Sequence, residues 1–488
     1  MVTFILSIVA LLAGYWFYSR LIDRFFGASR DVPTPVSRMA DGVDYIPMPV
    51  WKMFTIQFLN IAGLGPIFGA VLGAMYGPAS YIWIALGCIF MGAVHDYFSG
   101  MLSIRNNGMS LPEMVGKYLG PGFLNFLRYF SLLLLVMVGV AFVNGPAGLL
   151  QSMTGDFLIF GLTINGFVFW LVFIFVYYIL ATLLPINKII GRIYPVFGVF
   201  LLFMAIAVGG YMLFQGFNGD MVLTEISFSN LRNAHHDPAN NILFPMMFVI
   251  VSCGAISGFH STQSPMMARC MTNEKQGRKV FYGAMIAEGI VTLIWATAAM
   301  NFFGDANALN QTMAQGHNPA WVVNLICYTW LGKIGAVLAV IGVIVCPITT
   351  GDTAFRSARL TLADMLKIKQ LSVKNRLVVT VSLFAAGFFL SQIKFEVIWK
   401  YVGLSNQILA VIVLWTAAMY LVGVKKLHWM LSLPATFMTV VCFTYLLAAP
   451  YSNGGLFLPV AIAYPLGIAG GMGSFFWFLH ASRKAVAI

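Results

Sequence analysis

Residues 54–76 form an apolar run long enough to cross a bilayer, yet Gly63, Gly65 and Pro66 interrupt it near its middle. Backbone in hydrocarbon must satisfy its own hydrogen bonds. An interruption at that depth therefore survives only where it is buried in protein or lines a cavity. A second apolar run carries a comparable interruption at Cys253-Gly254-Ala255-Ile256-Ser257-Gly258-Phe259-His260. Two Gly-interrupted helices in corresponding halves of a chain point to a secondary transporter with its solute site at the breaks.

Composition supports a membrane setting. Of 488 residues 60% are hydrophobic and 9% are charged, against about 25% charged in globular domains. Thirteen apolar spans are expected, at 3–19, 54–76, 80–104, 121–150, 166–185, 190–215, 242–268, 278–303, 332–355, 375–393, 397–422, 427–448 and 457–481. Most reach the roughly 20 residues that a bilayer requires. With the N-terminus outside, basic residues gather in alternate loops, at 20–52, 105–128, 188–192, 269–279, 356–376, 425–426 and 483–484. Of the 28 Lys and Arg residues only Arg232, Lys333, Lys394 and Lys400 fall on the other side. This is the positive-inside pattern, with the C-terminus cytoplasmic. It accounts for the net charge of +12 without a nucleic-acid partner. The first span lacks basic residues ahead of its apolar run and is read as an uncleaved anchor rather than a signal peptide. Cys88, Cys253, Cys270, Cys327, Cys346 and Cys442 show no CxxC spacing and read as small apolar residues.

The broken spans are the second and the seventh, so they cross in opposite directions. Five helices repeated with inverted topology is the leucine-transporter-like arrangement. The expected fold is an all-α polytopic membrane protein with a 5+5 inverted repeat, two broken helices and about 13 transmembrane helices. Its expected parts are residues 1–53, an anchor helix and cytoplasmic connection; 54–216, the first repeat; 217–422, the inverted repeat; and 423–488, two closing helices. Pro66 suits the first turn of a new helical segment. The amides of Ile67 and Phe68 would then face a cavity, backed by the positive end of a helix dipole, and would receive a carboxylate. Carbonyls freed at Asn60, Ile61 and Ala62 would hold a cation or an amine. The competing reading is close helix packing, which the spacing of Gly65, Gly69 and Gly73 also fits.

Ionisable residues inside spans are costly and usually functional. His95 and Asp96 lie in the third span, His260 and Gln263 follow the second break, and Glu288 sits in the eighth span. The expected solute contacts are Gly63, Gly65, Pro66, Ile67, Gly254, Ser257, Gly258, His260 and Gln263. The expected ion-coupling residues are Thr349, Thr350, Asp352, Thr353, Glu288, Asp96 and His95, with a sodium alternative at Ala62, Thr349, Thr350 and Thr353. Asp352 has a rival role as a helix-internal salt bridge to Arg356 and Arg359, and His95–Asp96 as a static pair.

Several blocks carry a family resemblance. Gly-Ala-Val-His-Asp-Tyr (92–97) precedes Arg-Asn-Asn-Gly-Met-Ser-Leu-Pro-Glu-Met (105–114). With them go Asp-Gly-Val-Asp-Tyr-Ile-Pro (41–47), residues 62–66, 253–260 and 351–359, and Gly-Leu-Ser-Asn-Gln (403–407). Together they resemble the CstA carbon-starvation family. The resemblance implies an inner-membrane importer of the amino acid/polyamine/organocation superfamily, associated with uptake of peptides and pyruvate, with protons as the coupling ion. The chain departs from longer members at Ile56-Gln57, where they carry paired histidines, at His95, where they carry Gln, and at Ser261-Thr262-Gln263-Ser264-Pro265.

The expected function is import of small carboxylate-bearing nutrients by ion-coupled alternating access. The rivals are a carrier of an inorganic ion or amine, and more distantly a channel or sensor. No catalytic cluster such as His-Glu-x-x-His is present in the sequence, so an enzyme is not expected. The expected partners are a small-molecule solute and the bilayer; no cofactor is expected beyond H+ or Na+.

Overall fold

The computed structural model describes residues 1–159, 161–183, 190–368, 370, 372–393 and 395–486. Of the expected basic positions, Lys188, Lys369 and Lys394 lie outside the described residues, as do the last two residues of the expected span 166–185.

The main helices in chain order, leaving aside the shorter Pro35–Met39, Leu111–Leu119 and Ala306–Ala314, are α1 (Val2–Phe26), α2 (Val50–Ala62), α3 (Gly65–Ala74), α4 (Ala79–Arg105), α5 (Pro121–Thr154), α6 (Gly166–Leu183), α7 (Ile190–Asn218) and α8 (residues 243–250). They continue with α9 (Phe259–Ala268), α10 (Glu274–Phe302), α11 (Pro319–Leu366), α12 (Val373–Leu390), α13 (Phe395–Gly423), α14 (Trp429–Ala448) and α15 (Val460–Val486). One feature departs from an all-helical chain. Between α5 and α6 a small antiparallel hairpin pairs β1 (Phe157–Ile159) with β2 (Leu162–Ile164), Phe157 opposite Ile164.

Among the described residues ten helices are long and apolar enough to cross a membrane, or eleven if the bent pair α2–α3 is one span. Two of the expected runs fall outside that set for physical reasons. The apolar stretch of α6, Gly166–Ala181, is shorter. Residues 242–268 are cut into short helices by the second break. The expected span 332–355 lies in the second part of α11, which bends at Gly332 (φ 62°, ψ −147°), backbone that glycine adopts without a Cβ clash.

Burial separates core helices from peripheral ones. In α10, 89% of the most apolar stretch is buried within the protein, and in α4 78%, against 22% in α1 and α15. α4 and α10 approach closely because the residues between them are small: a Cβ on Gly289 would lie 2.6 Å from Cys88 Sγ. The Tyr282 hydroxyl donates to the Ile89 carbonyl at 3.0 Å across the same seam. This contact carries ionisable residues of both helices into the middle of the molecule.

Candidate functional site

The first break forms where α2 ends at Gly63 (φ 35°, ψ −135°), and α3 leaves at 55° to it. That φ favours glycine, and a side chain there would press on the Phe142 ring, 3.0 Å from the Cβ position. Leu64 O accepts from Phe68 N–H at 2.8 Å and from Ile67 N–H at 3.3 Å. The two amides expected to face a cavity are therefore consumed by a local turn. α11 is stitched to this break: Thr350 Oγ1 donates to Leu59 O at 3.0 Å, and Cys346 Sγ lies 3.6 Å from Gly63 O.

The second break follows α8. A single turn, Ser252–Ala255, runs into extended Ile256 (φ −160°, ψ 131°) before α9 begins. Its freed groups are taken up by α13. Asn406 Nδ2 donates to Ser257 Oγ at 2.9 Å, Asn406 Oδ1 accepts from Phe259 N–H, and Asn406 O accepts from Gly258 N–H at 3.2 Å. Gln407 Nε2 donates to Ile256 O at 3.2 Å. Ser257 and Gly258, expected as solute contacts, are instead clamped inside the protein. Gly254 is also a packing residue: a Cβ there would lie 2.1 Å from Thr292 Oγ1 of α10.

The breaks face each other directly. A Cβ on Gly65 would lie 2.1 Å from Cys253 Sγ. Beside them is a cavity of about 1000 Å³, with Leu64, Gly65 and Phe68 of the first break and Cys253 and Phe259 of the second in its wall. Of the nine expected solute contacts it is lined by Gly65; Gly63, Pro66, Ile67, Gly254, Ser257, Gly258, His260 and Gln263 lie behind the wall. Gln263 turns towards α11, where its Oε1 lies 3.5 Å from Ser357 Oγ. The cavity reaches His235, Asn318 and Asn453, in the connections before α8, before α11 and between α14 and α15. Among the described residues no Lys, Arg, Asp or Glu lines it.

The intramembrane ionisable residues converge directly behind the second break. Asp96 Oδ1 is 2.8 Å from His95 Nδ1 and Asp96 Oδ2 is 2.9 Å from His260 Nδ1. His260 Nε2 lies 3.5 Å from Glu288 Oε2, within ion-pair distance but without a hydrogen bond. All four side chains are 0% exposed. Both imidazoles donate Nδ1–H to the aspartate, which leaves their Nε2 atoms to act as acceptors or to carry a second proton. His95 Nε2, His260 Nε2 and both Glu288 oxygens lack hydrogen-bond partners. Unsatisfied buried polar atoms are expensive. One proton shared between Glu288 and His260 satisfies a group on each.

The α11 candidates are placed differently. Thr350 touches the first break, but Thr349 Oγ1 donates to Cys346 O at 2.7 Å and Thr353 Oγ1 to Thr350 O at 2.9 Å, back into their own helix. Asp352 accepts from the Tyr194 hydroxyl, and its Oδ1 is unpartnered. The rival role of Asp352, a salt bridge to Arg356 and Arg359, is not realised: both guanidinium groups reach Asp44 at 3.4 Å. Ala62, in the expected sodium set, is buried at the end of α2. Among the described residues no group of three or more His, Cys, Asp and Glu is arranged to hold a metal ion.

Sequence reasoning missed Asn406, Gln407, Tyr194 and the role of Asp44. The first two carried a usable signal, an amide pair inside the apolar span 397–422. For Tyr194, nothing in the local pattern marks its partner.

Comparison with known proteins bears on this architecture. The profile of the family described as "Carbon starvation protein CstA" matches residues 1–166 and 157–330. The chain is similar to an uncharacterized membrane protein of Haemophilus influenzae, 41% identical over 357 residues, 65% of this chain and 95% of that one. It is similar to the peptide transporter CstA of Bacillus subtilis, 27% identical over 365 residues, 64% of this chain and 60% of that one. It is also similar to the pyruvate/proton symporter BtsT of Escherichia coli, 26% identical over 354 residues, 60% of this chain and 48% of that one.

Proposed function

The chain belongs to the CstA carbon-starvation family, and from that premise we propose that it is a secondary active transporter importing small carboxylate-bearing nutrients, such as peptides, amino acids or pyruvate, by ion-coupled alternating access. The observation that carries this reading is the pair of broken helices, in contact at Gly65 and Cys253 beside a cavity of about 1000 Å³. Interrupted helices meeting at mid-membrane are the usual seat of a carrier's site. The relatives from Bacillus and Escherichia, a peptide transporter and a pyruvate/proton symporter, support the solute class and a proton as partner.

In this reading α2–α3 opens the first five-helix repeat, residues 54–216, and α8–α9 is its inverted counterpart in residues 217–422. Residues 1–53 and 423–488 flank the two repeats. The thirteen expected spans set the N-terminus outside an inner membrane and the C-terminus in the cytoplasm. The cavity opens away from the basic loops, so the conformation is the outward-open one. The coupling proton resides between Glu288 and His260, held in place by Asp96 and His95. Because His260 directly follows the second break, a change in its protonation reaches the break through one residue. The α11 hydroxyls each donate to a backbone carbonyl, which leaves their oxygen lone pairs available to a cation, so sodium at α11 is the alternative coupling ion.

The test is uptake of labelled dialanine and pyruvate into proteoliposomes under an imposed pH gradient or an imposed sodium gradient. Accumulation driven by the pH gradient is expected. Accumulation that follows sodium alone would move the coupling site to α11 and Ala62.

A further inference from the structure

If a carboxylate enters this cavity, as the proposed function requires, something in its wall must receive the charge. The local turn at Leu64 has used the amides of Ile67 and Phe68, and no Lys or Arg lines the wall among the described residues. The remaining candidates for positive charge are two adjacent histidines at the outer mouth, His235 and His236.

Their ring nitrogens are set by fixed neighbours. His235 Nδ1 accepts from the Asp237 N–H at 3.1 Å, so its proton sits on Nε2. Burial, and then the neighbouring His236, push its pKa down to about 4, so it stays neutral and keeps that acceptor. Asn310 Nδ2 donates to the carbonyls of Met75, Ala234 and Ala306 at 2.8–3.0 Å, which fixes the amide and makes Oδ1 the acceptor. That oxygen lies 3.1 Å from His236 Nδ1 and also takes the His236 N–H at 3.0 Å. His236 therefore carries its proton on Nδ1 and turns Nε2 outward. The rings stack with centroids 4.6 Å apart, and the Tyr76 ring lies 5.1 Å from His235. The Tyr76 hydroxyl is buried in the cavity wall without a partner.

We propose that His235 and His236, with the Tyr76 hydroxyl beside them, form the outer docking point for the solute's carboxylate. His235 offers Nε2–H, Tyr76 offers O–H, and His236 offers a second N–H and a positive charge in its doubly protonated form. A carboxylate is an acceptor only, so it selects that form of His236, and anion and proton arrive together. Among the described residues the titratable groups facing the pair include Asp237, which interacts with both imidazoles and is hydrogen-bonded by Asn240 Nδ2 at 3.0 Å, and Tyr445 beside Tyr76.

The test is thermal unfolding of the purified full-length protein with pyruvate or dialanine, each against the amide that lacks its carboxylate, pyruvamide or dialaninamide, at pH 5.5 and 8. Counterflow of labelled pyruvate and dialanine is run in parallel. The carboxylates are expected to stabilise the wild type more than the amides, and more at pH 5.5. His236→Gln should abolish the pH difference, and His235→Gln should weaken carboxylate affinity about tenfold while sparing the amides. The unliganded melting temperature of each variant reports whether it is folded, and Tyr76→Phe gives an independent loss of one donor. Equal stabilisation by acids and amides, carboxylate binding unchanged in both histidine variants, or counterflow without any carboxylate binding at this pair would each overturn the site. Carboxylate binding that depends on the pair but comes without counterflow would sustain the site and overturn the transport reading. Absence of both would overturn both.

Discussion

Gly65 and Cys253 show how little space separates the two breaks. A methyl at residue 65 would lie 2.1 Å from Cys253 Sγ and 2.2 Å from its Cβ, a distance that forces one backbone away from the other. Gly65→Ala should cut uptake severely, and Cys253→Gly in the same chain should restore much of it, because the second change removes the colliding atoms. Initial rates of the two variants, corrected for the amount inserted, check this; loss without rescue would place the role of Gly65 elsewhere. Glu288 is the other decisive residue. Glu288→Gln keeps the shape but cannot exchange a proton with His260, so it should preserve solute exchange and lose concentrative uptake. Retained accumulation under a pH gradient would remove Glu288 from coupling. Both residues were legible in the sequence, because a glycine beside a proline and a lone acid in an apolar helix are each costly without a purpose. Their partners were not. His95, Asp96, His260 and Glu288 come from three helices, and helical periodicity says nothing about which faces of distant helices meet.

At the scale of elements, the second break and the basic face are each held by a side chain from another element. The Asn406 side chain of α13 accepts from Phe259 N–H and bonds the Ser257 hydroxyl, on the two sides of Gly258. Asn406→Ala would strand buried donors and should lower stability by about 1–3 kcal/mol, read as a fall in melting temperature in detergent. On the basic face, the loop before α2 is rigid because Asp41 Oδ1 accepts from the amides of Val43, Asp44 and Tyr45 at 2.8–2.9 Å. It presents Asp44 to Arg356 and Arg359. Burial pushes the Asp44 carboxyl up, but Arg359, Arg356 and Arg269 outweigh it, and the net shift is downward. A depressed carboxyl contributes stability above the ordinary carboxylate range and loses it as pH falls through its folded-state value. Asp44→Asn should therefore remove acid-labile stability and loosen the basic face, seen as faster proteolysis there at neutral pH. The broken helices were readable as elements from Gly and Pro placement. The free amides expected at Ile67 and Phe68 were not realised, because Leu64 O closes a local turn that composition cannot reveal.

At the scale of the whole molecule, the helices sort into a buried centre, led by α10 and α4, and a periphery that includes α1 and α15. The broken helices and the buried acid–imidazole chain lie at that centre, and the cavity beside them reaches His235, Asn318 and Asn453 in the connections between helices. What distinguishes a carrier from a channel or sensor of similar shape is solute-for-solute exchange, because a single site is presented to each side in turn and can return loaded when solute is present on both sides. Counterflow in proteoliposomes measures this directly. Vesicles preloaded with unlabelled dialanine or pyruvate and diluted into trace labelled solute should transiently accumulate label above equilibrium, and the overshoot should vanish without preloading. Label that only equilibrates, at a rate indifferent to internal solute, would contradict alternating access.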